Sequence, residues 1–116
     1  MIKQYQKREI PITVMKIIKS VCIDYDRRAF ELKRDEIAEK TRETFLTLNT
    51  AIDAALESVE AGLRRGLFED IKLGRGYNFS PCSAFICKTC YYSRKNKVIF
   101  IMAHNMNLID GHETTE

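Results

Sequence analysis

The stretch FICKTCYYSRKNKVIFIM, residues 85–102, decides the fold. Read as one helix, it brings Ala84, Cys87, Tyr91, Val98, Met102 and Ile109 onto one face, with Ile101 beside them and Thr89, Ser93 and Asn96 opposite. Read as a hairpin, FICKTCYY and VIFIM are two β-rich runs joined by SRKNK, with Asn96 in the turn. Neither run alternates apolar with polar residues, and the preceding segments have helical spacing. The helical reading is therefore preferred, and the chain is expected to be all-α.

Just upstream, GRGYNFS, residues 74–80, reads as a loop, and Ser80-Pro81 as a cap followed by a first helical residue, with Ser83 an alternative cap. Before the loop, Leu63, Leu67 and Ile71 keep one face at i, i+4, i+8 spacing, although Gly62 and Gly66 weaken helix. The cleanest stripe is Leu48, Ile52, Ala55, Leu56, Val59 and Leu63, with Asn49 positioned to cap its start. A break at residues 47–49 is expected to fold this segment back on a solvated helix running from Arg28 to Phe45, whose narrow buried edge is Phe30, Ile37 and Phe45. The first helix follows Pro11, a residue suited to a first turn, and presents Val14, Met15, Ile18, Val21, Cys22 and Tyr25. The cluster DYDRR, residues 24–28, interrupts that stripe as a turn or helix end.

A chain of 116 residues, 45% hydrophobic and 30% charged, suits one globular domain with a modest core. The expectation is a single domain of four or five helices, with a helical scaffold over residues 11–62, a basic part over 63–109 and a polar tail over 110–116. The first ten residues lack the apolar centre of a secretory signal, and the longest clean apolar run, VIFIMA at 98–103, is far short of the roughly 20 residues a membrane span needs. A cytoplasmic protein with no membrane partner is expected, and its four cysteines are then free or metal-bound rather than paired.

Charge is unevenly spread. Residues 1–61 carry 11 basic and 11 acidic side chains, whereas residues 62–100 carry 8 basic side chains against only Glu69 and Asp70. No acid occurs from residue 71 to 109. A basic surface of this kind attracts phosphate, and the Thr, Ser and Tyr side chains among the cations can bond phosphate oxygens or base edges. Arg75, Lys88, Arg94, Lys95 and Lys97 are the expected phosphate contacts, and Thr89, Tyr92 and Ser93 the expected base-edge or backbone contacts, on double-stranded DNA.

The same region has a second reading. CKTC at 87–90 has the two-residue gap of a zinc knuckle, and Cys82 and His104 would complete four ligands, but no second paired motif accompanies it. A thioredoxin-type role would want a preceding strand, and nucleophilic catalysis would have only His104 as base for Cys82, Cys87 or Cys90. Gly74-Arg75-Gly76 lacks the Lys-Ser/Thr of a phosphate loop. The reading preferred is no cofactor, no metal and no enzymatic activity. A helical assembly protein, with the Leu48–Leu63 stripe as the seam of a homodimer, is a third alternative.

The segment SPCSAFICKTCYYSRKNKVIFIMAHNMNLI, preceded by LRRGLFEDIKLG, resembles the C-terminal part of small transcription regulators from phages and mobile elements of Gram-positive bacteria, whose helix-turn-helix is similar to sigma-factor region 4. Ser83, Tyr91, Arg94, Lys95 and the run Val98–Ala103 carry the match, over about the last third of the chain. The resemblance implies a DNA-binding transcriptional regulator with a helix-turn-helix-like C-terminal part and RNA polymerase as a further partner. The chain departs from that pattern between Ile71 and Ser83, where the GRGYNFSP loop leaves little room for a separate scanning helix.

Overall fold

The computed structural model describes residues 10–110 and contains, among them, five α-helices and no strand. The helices are α1 (Ile12–Ile23), α2 (Tyr25–Glu31), α3 (Glu39–Leu56), α4 (Ala61–Leu73) and α5 (Lys88–Asn105). Two short 3-10 turns, Tyr77–Phe79 and Pro81–Ala84, lie between α4 and α5. The protein is a small all-α domain, and the deciding stretch is helical from Lys88 onward.

Pro11 precedes α1 with extended backbone, and its carbonyl accepts the first helical bond from the Met15 N–H. Val14, Ile18 and Cys22 are the buried stripe of α1. DYDRR does break the helix: Asp24 departs from helical geometry, and Arg27 clamps its carboxylate with two hydrogen bonds of 2.8 and 2.7 Å.

The expected break at 47–49 is not there, and Asn49 is no cap. It lies in the interior of α3, 6% exposed, where its Oδ1 accepts a 2.7 Å bond from Arg28 Nε and its Nδ2 donates to the Tyr25 carbonyl. Arg28 is itself buried and also donates to the Val21 carbonyl at 2.6 Å, so one guanidinium ties α1, α2 and α3 together. The reversal occurs earlier, at residues 32–38. There Arg42 reaches back from α3 to the carbonyls of Leu32 (3.0 Å) and Arg34 (2.8 Å), giving partners to backbone groups that the end of α2 leaves open. The single solvated helix expected over Arg28–Phe45 is thus two helices and a turn, and Phe30, expected on its buried edge, is 65% exposed.

Ile52, Ala55, Val59 and Leu63 of the cleanest stripe are buried, but they straddle a second reversal between α3 and α4. Arg64 Nε bonds the Val59 carbonyl there. α4 crosses the 62/63 boundary between the expected scaffold and basic parts, and it packs on α1, so the two parts share one core. α4 ends at Gly74, whose positive φ of 71° is the left-handed geometry that glycine adopts without a Cβ penalty.

α5 supplies the centre of the core. Tyr91, Val98, Ile99, Met102 and Ala103 are buried and packed with Ile18 and Cys22 of α1, Ile52 and Ala55 of α3 and Leu67 and Ile71 of α4, and Phe100 is buried as well. Ala84 and Cys87 were expected to extend this face. Both are exposed, because α5 begins only at Lys88 and Ala84 belongs to a separate 3-10 turn. That turn starts as Ser80-Pro81 suggests, with Ser80 Oγ accepting the Cys82 N–H at 3.0 Å. No helix among the described residues is long and apolar enough to cross a membrane.

Candidate nucleic-acid interface

The basic residues take their positions from a buried acid. Asp70 is completely buried at the end of α4, where Oδ2 accepts the Tyr91 hydroxyl at 2.8 Å and Oδ1 accepts Arg75 Nε at 2.8 Å. A carboxylate in that setting requires such partners, since an unpaired buried charge is costly. Burial first, and the Asp70 carboxylate second, hold the Tyr91 phenol above its usual pKa. With Arg75 fixed, its backbone carbonyl accepts Lys95 Nζ at 2.6 Å, and the same ammonium lies 5.6 Å from the centre of the Tyr91 ring. Desolvation lowers the Lys95 pKa, with Asp70 opposing the shift.

Lys95 lines a cleft of about 310 Å³ between α1, the end of α4 and α5, together with Lys16 and Lys19 of α1. Ile12, Met15, Ile71 and Ile99 form its apolar surface, and Asp70, paired as above, is the only carboxylate among the described residues that line it. The Lys19 ammonium lies 3.3 Å from where a Cβ on Gly74 would stand, over the electronegative C-terminal end of α4. Lys16 and Lys19 belong to the charge-balanced first half, where Lys16, like Lys40, was expected to contribute little to binding; Lys16 instead lines the same cleft as Lys95. The available signal was local: residues 12–23 contain no acid, and the two lysines lie off the Val14, Ile18, Cys22 stripe.

Along α5, Lys88, Thr89, Tyr92 and Asn96 are exposed at i, i+1, i+4, i+8 spacing, one outward stripe, with Ser93 half-buried beside it. Tyr92 is partly committed, because its hydroxyl accepts the Tyr77 N–H at 3.1 Å. Lys95 flanks the stripe on the cleft side. Arg94 and Lys97 turn toward the α3–α4 reversal, where Arg94 forms a two-pronged pair with Glu60, both bonds 2.8 Å, and Lys97 Nζ donates to the Ser58 carbonyl at 3.3 Å. The Arg94 guanidinium holds the Glu60 carboxyl down at about 2. The eight sequence-derived contact residues therefore divide: Lys88, Thr89, Tyr92, Ser93 and Lys95 gather on or beside one surface, Arg75 supports it from below, and Arg94 and Lys97 point away to intramolecular acceptors.

The zinc set does not assemble. Cys82 is buried, its Sγ 3.8 Å from the Leu63 carbonyl oxygen. His104 and Cys90 sit on the same helix, about 21 Å apart at 1.5 Å per residue. Among the described residues no group of three His, Cys, Asp or Glu side chains is placed to hold a metal.

The connection from α4 to α5 runs from Gly74 to Cys87 and contains two 3-10 turns, longer than the three- or four-residue turn of a helix-turn-helix. No protein-family model, curated protein or solved structure matches the chain.

Proposed function

We propose that the protein is a small DNA-binding regulator that grips duplex phosphate with the surface shared by α1 and α5. The observation that supports this most directly is the meeting of two acid-free helices. Lys16 and Lys19 from α1 and Lys95 from α5 line one cleft, beside the outward stripe of Lys88, Thr89, Tyr92 and Asn96. A concave surface with cations on its walls and the Asp70 carboxylate already neutralised by Arg75 raises the local concentration of a polyanion. The hydroxyl and amide side chains along α5 supply the neutral donors and acceptors that phosphate oxygens and base edges use. Because the α4–α5 connection is not a short turn, contact is assigned to this face and not to a recognition helix of the sigma-like type.

The test is the salt dependence of binding to a duplex. Lys16→Ala, Lys19→Ala, Lys88→Ala and Lys95→Ala should each reduce the log–log slope by roughly 0.9 and weaken all sequences alike. Thr89→Ala should change preference among sequences. Lys40→Ala, exposed at the start of α3, is the control. Absence of salt-sensitive binding, or equal losses from Lys40→Ala and the cleft lysines, refutes the assignment.

A further inference from the structure

Cys87 and Cys90 take no part in the surface just described, yet they occupy the two positions at the start of α5 where side chains meet. Cys87 is the N-cap, with extended backbone (φ −77°, ψ 167°), and Cys90 is the third residue of the helix. These are the positions whose side chains face each other in a capping box, and i, i+3 residues have Cβ atoms about 5–6 Å apart, so a small closing movement brings the sulfurs to bonding distance. Both thiols are free. Cys87 is exposed and Cys90 partly buried, so Cys87 is the thiol that a solvent-borne disulfide meets first.

The surroundings favour thiolate at the outer position. Cys87 makes no formed capping hydrogen bond; the backbone N–H and then the thiol of Cys90 lower its pKa, while Cys90 is raised by the same neighbour. The cation acting on Cys90 is Arg94, whose charge is offset by Glu60. Lys88 follows Cys87 directly, no acid lies within residues 71–109, and Phe85, two positions before, is 74% exposed. In space, Arg65 and Glu69 line the groove beside Phe85, so the approach is open, partly apolar and of mixed charge, accessible to a small disulfide. The other two cysteines are inert by contrast. Both are buried, and desolvation pushes the Cys22 thiol up to about 12.

We propose that Cys87 and Cys90 are a thiol–disulfide exchange site, with Cys87 attacking a small disulfide of the oxidised-glutathione type and Cys90 resolving the product. In the first step the Cys87 thiolate displaces one thiolate from the external disulfide and forms a mixed disulfide. In the second, the Cys90 thiolate attacks Cys87 Sγ, forms the Cys87–Cys90 bond and expels the other thiolate. Two protein thiols lose two electrons and two protons, and one disulfide becomes two thiols. The reaction runs back when the external thiol is in excess. This inference does not rest on DNA binding, and the two stand or fall separately.

The experiment exposes the folded full-length chain to oxidised glutathione and reads products by intact mass and peptide mapping without reduction. The wild type should lose two hydrogens, with the link mapped to Cys87–Cys90, and retain no glutathione. C90S should hold one glutathione on Cys87, and C87S should react about tenfold more slowly, as expected for a thiol with less thiolate and less access. Addition of reduced glutathione should restore the wild-type dithiol. A circular dichroism spectrum unchanged in both variants shows that neither result comes from unfolding. The proposal is overturned if the wild type keeps a stable mixed disulfide with no internal link, if Cys22 or Cys82 reacts as fast as Cys87, or if Cys87 reacts no faster than it does in urea.

Discussion

Replacing Tyr91 by Phe tests the buried network on which the basic cleft is built. The ring of Tyr91 is fully buried and stays, so its packing against Tyr77 and Tyr92 is preserved and only the hydroxyl is lost. Asp70 Oδ2 then loses its 2.8 Å donor in a site with no exposure to water, whereas Oδ1 keeps Arg75. A hydrogen bond to a charged group is worth about 1.5–3 kcal/mol, and Tyr91→Phe should cost that much in urea unfolding. Asp70→Ala removes the acceptor of both donors and opens a cavity; the cost should reach about 3–5 kcal/mol, eased by the partial exposure of Arg75. In the Asp70→Ala background the Tyr91 hydroxyl has little left to lose, and the same Tyr→Phe change should cost under about 1 kcal/mol. The cycle should therefore give a coupling of about 1–2 kcal/mol. A single-variant loss below about 0.5 kcal/mol, or strict additivity, would show that the carboxylate is satisfied in another way.

Two glycines of α4 should respond oppositely to alanine in thermal or urea unfolding. A Cβ on Gly62 meets nothing within 4 Å, and Gly62→Ala should stabilise by about 0.5–1 kcal/mol, whereas on Gly66 it would stand 2.7 Å from Cys82 Sγ, and Gly66→Ala should destabilise by about 1–3 kcal/mol. Glu60 titrates from its ordinary 4.5 in the unfolded chain to about 2 when paired with Arg94, so its contribution is present above 4.5 and lost as the pH falls toward 2. The pair is solvent-exposed, which limits the contribution to under about 1 kcal/mol, and Glu60→Gln should remove this part of the acid dependence. The same variant frees Arg94. Because Arg94 faces away from the proposed surface, Glu60→Gln should leave duplex binding and the salt slope unchanged, and a slope steeper by about 0.9 would place DNA on this side of α5 instead.

The helices whose apolar residues recur on one face could be read from the sequence, and the turns decided by distant partners could not. Val14, Ile18 and Cys22 mark α1, and Tyr91, Val98 and Met102 mark α5, since burial of one stripe is a local pattern. The reversal at 32–38 depends on Arg42 reaching two carbonyls eight and ten positions earlier, and no local propensity records that. Asn49 reads as a cap because its short side chain bonds nearby backbone, but a buried Arg28, 21 positions away, offers a stronger donor. The same holds at the candidate interface. The cations of α5 were visible as a run without acids, whereas Lys16 and Lys19 joined them only through the packing of α1 against α4 and α5.

What separates the cations that present charge from those that do not is the chemistry of their acceptors. Arg75 and Arg94 donate to carboxylates, Asp70 and Glu60, so each brings its counter-charge with it. Lys95 donates to the backbone carbonyl of Arg75, a neutral acceptor that fixes an ammonium in place without cancelling it. A lysine held in this way loses less side-chain freedom when a phosphate arrives, and its full charge still reaches the ligand. In the cleft, Asp70 neutralises Arg75, and the anchored Arg75 carbonyl in turn positions Lys95 beside Lys16 and Lys19. The buried acid thus supports a surface of the opposite sign. It follows that Tyr91→Phe, which loosens Asp70 while removing no cation and keeping the ring beneath Lys95, should weaken duplex binding by a smaller factor than Lys95→Ala while leaving the number of phosphate contacts, and hence the salt slope, unchanged. A slope that falls with Tyr91→Phe would mean that Lys95 leaves the surface altogether once its anchor is disturbed.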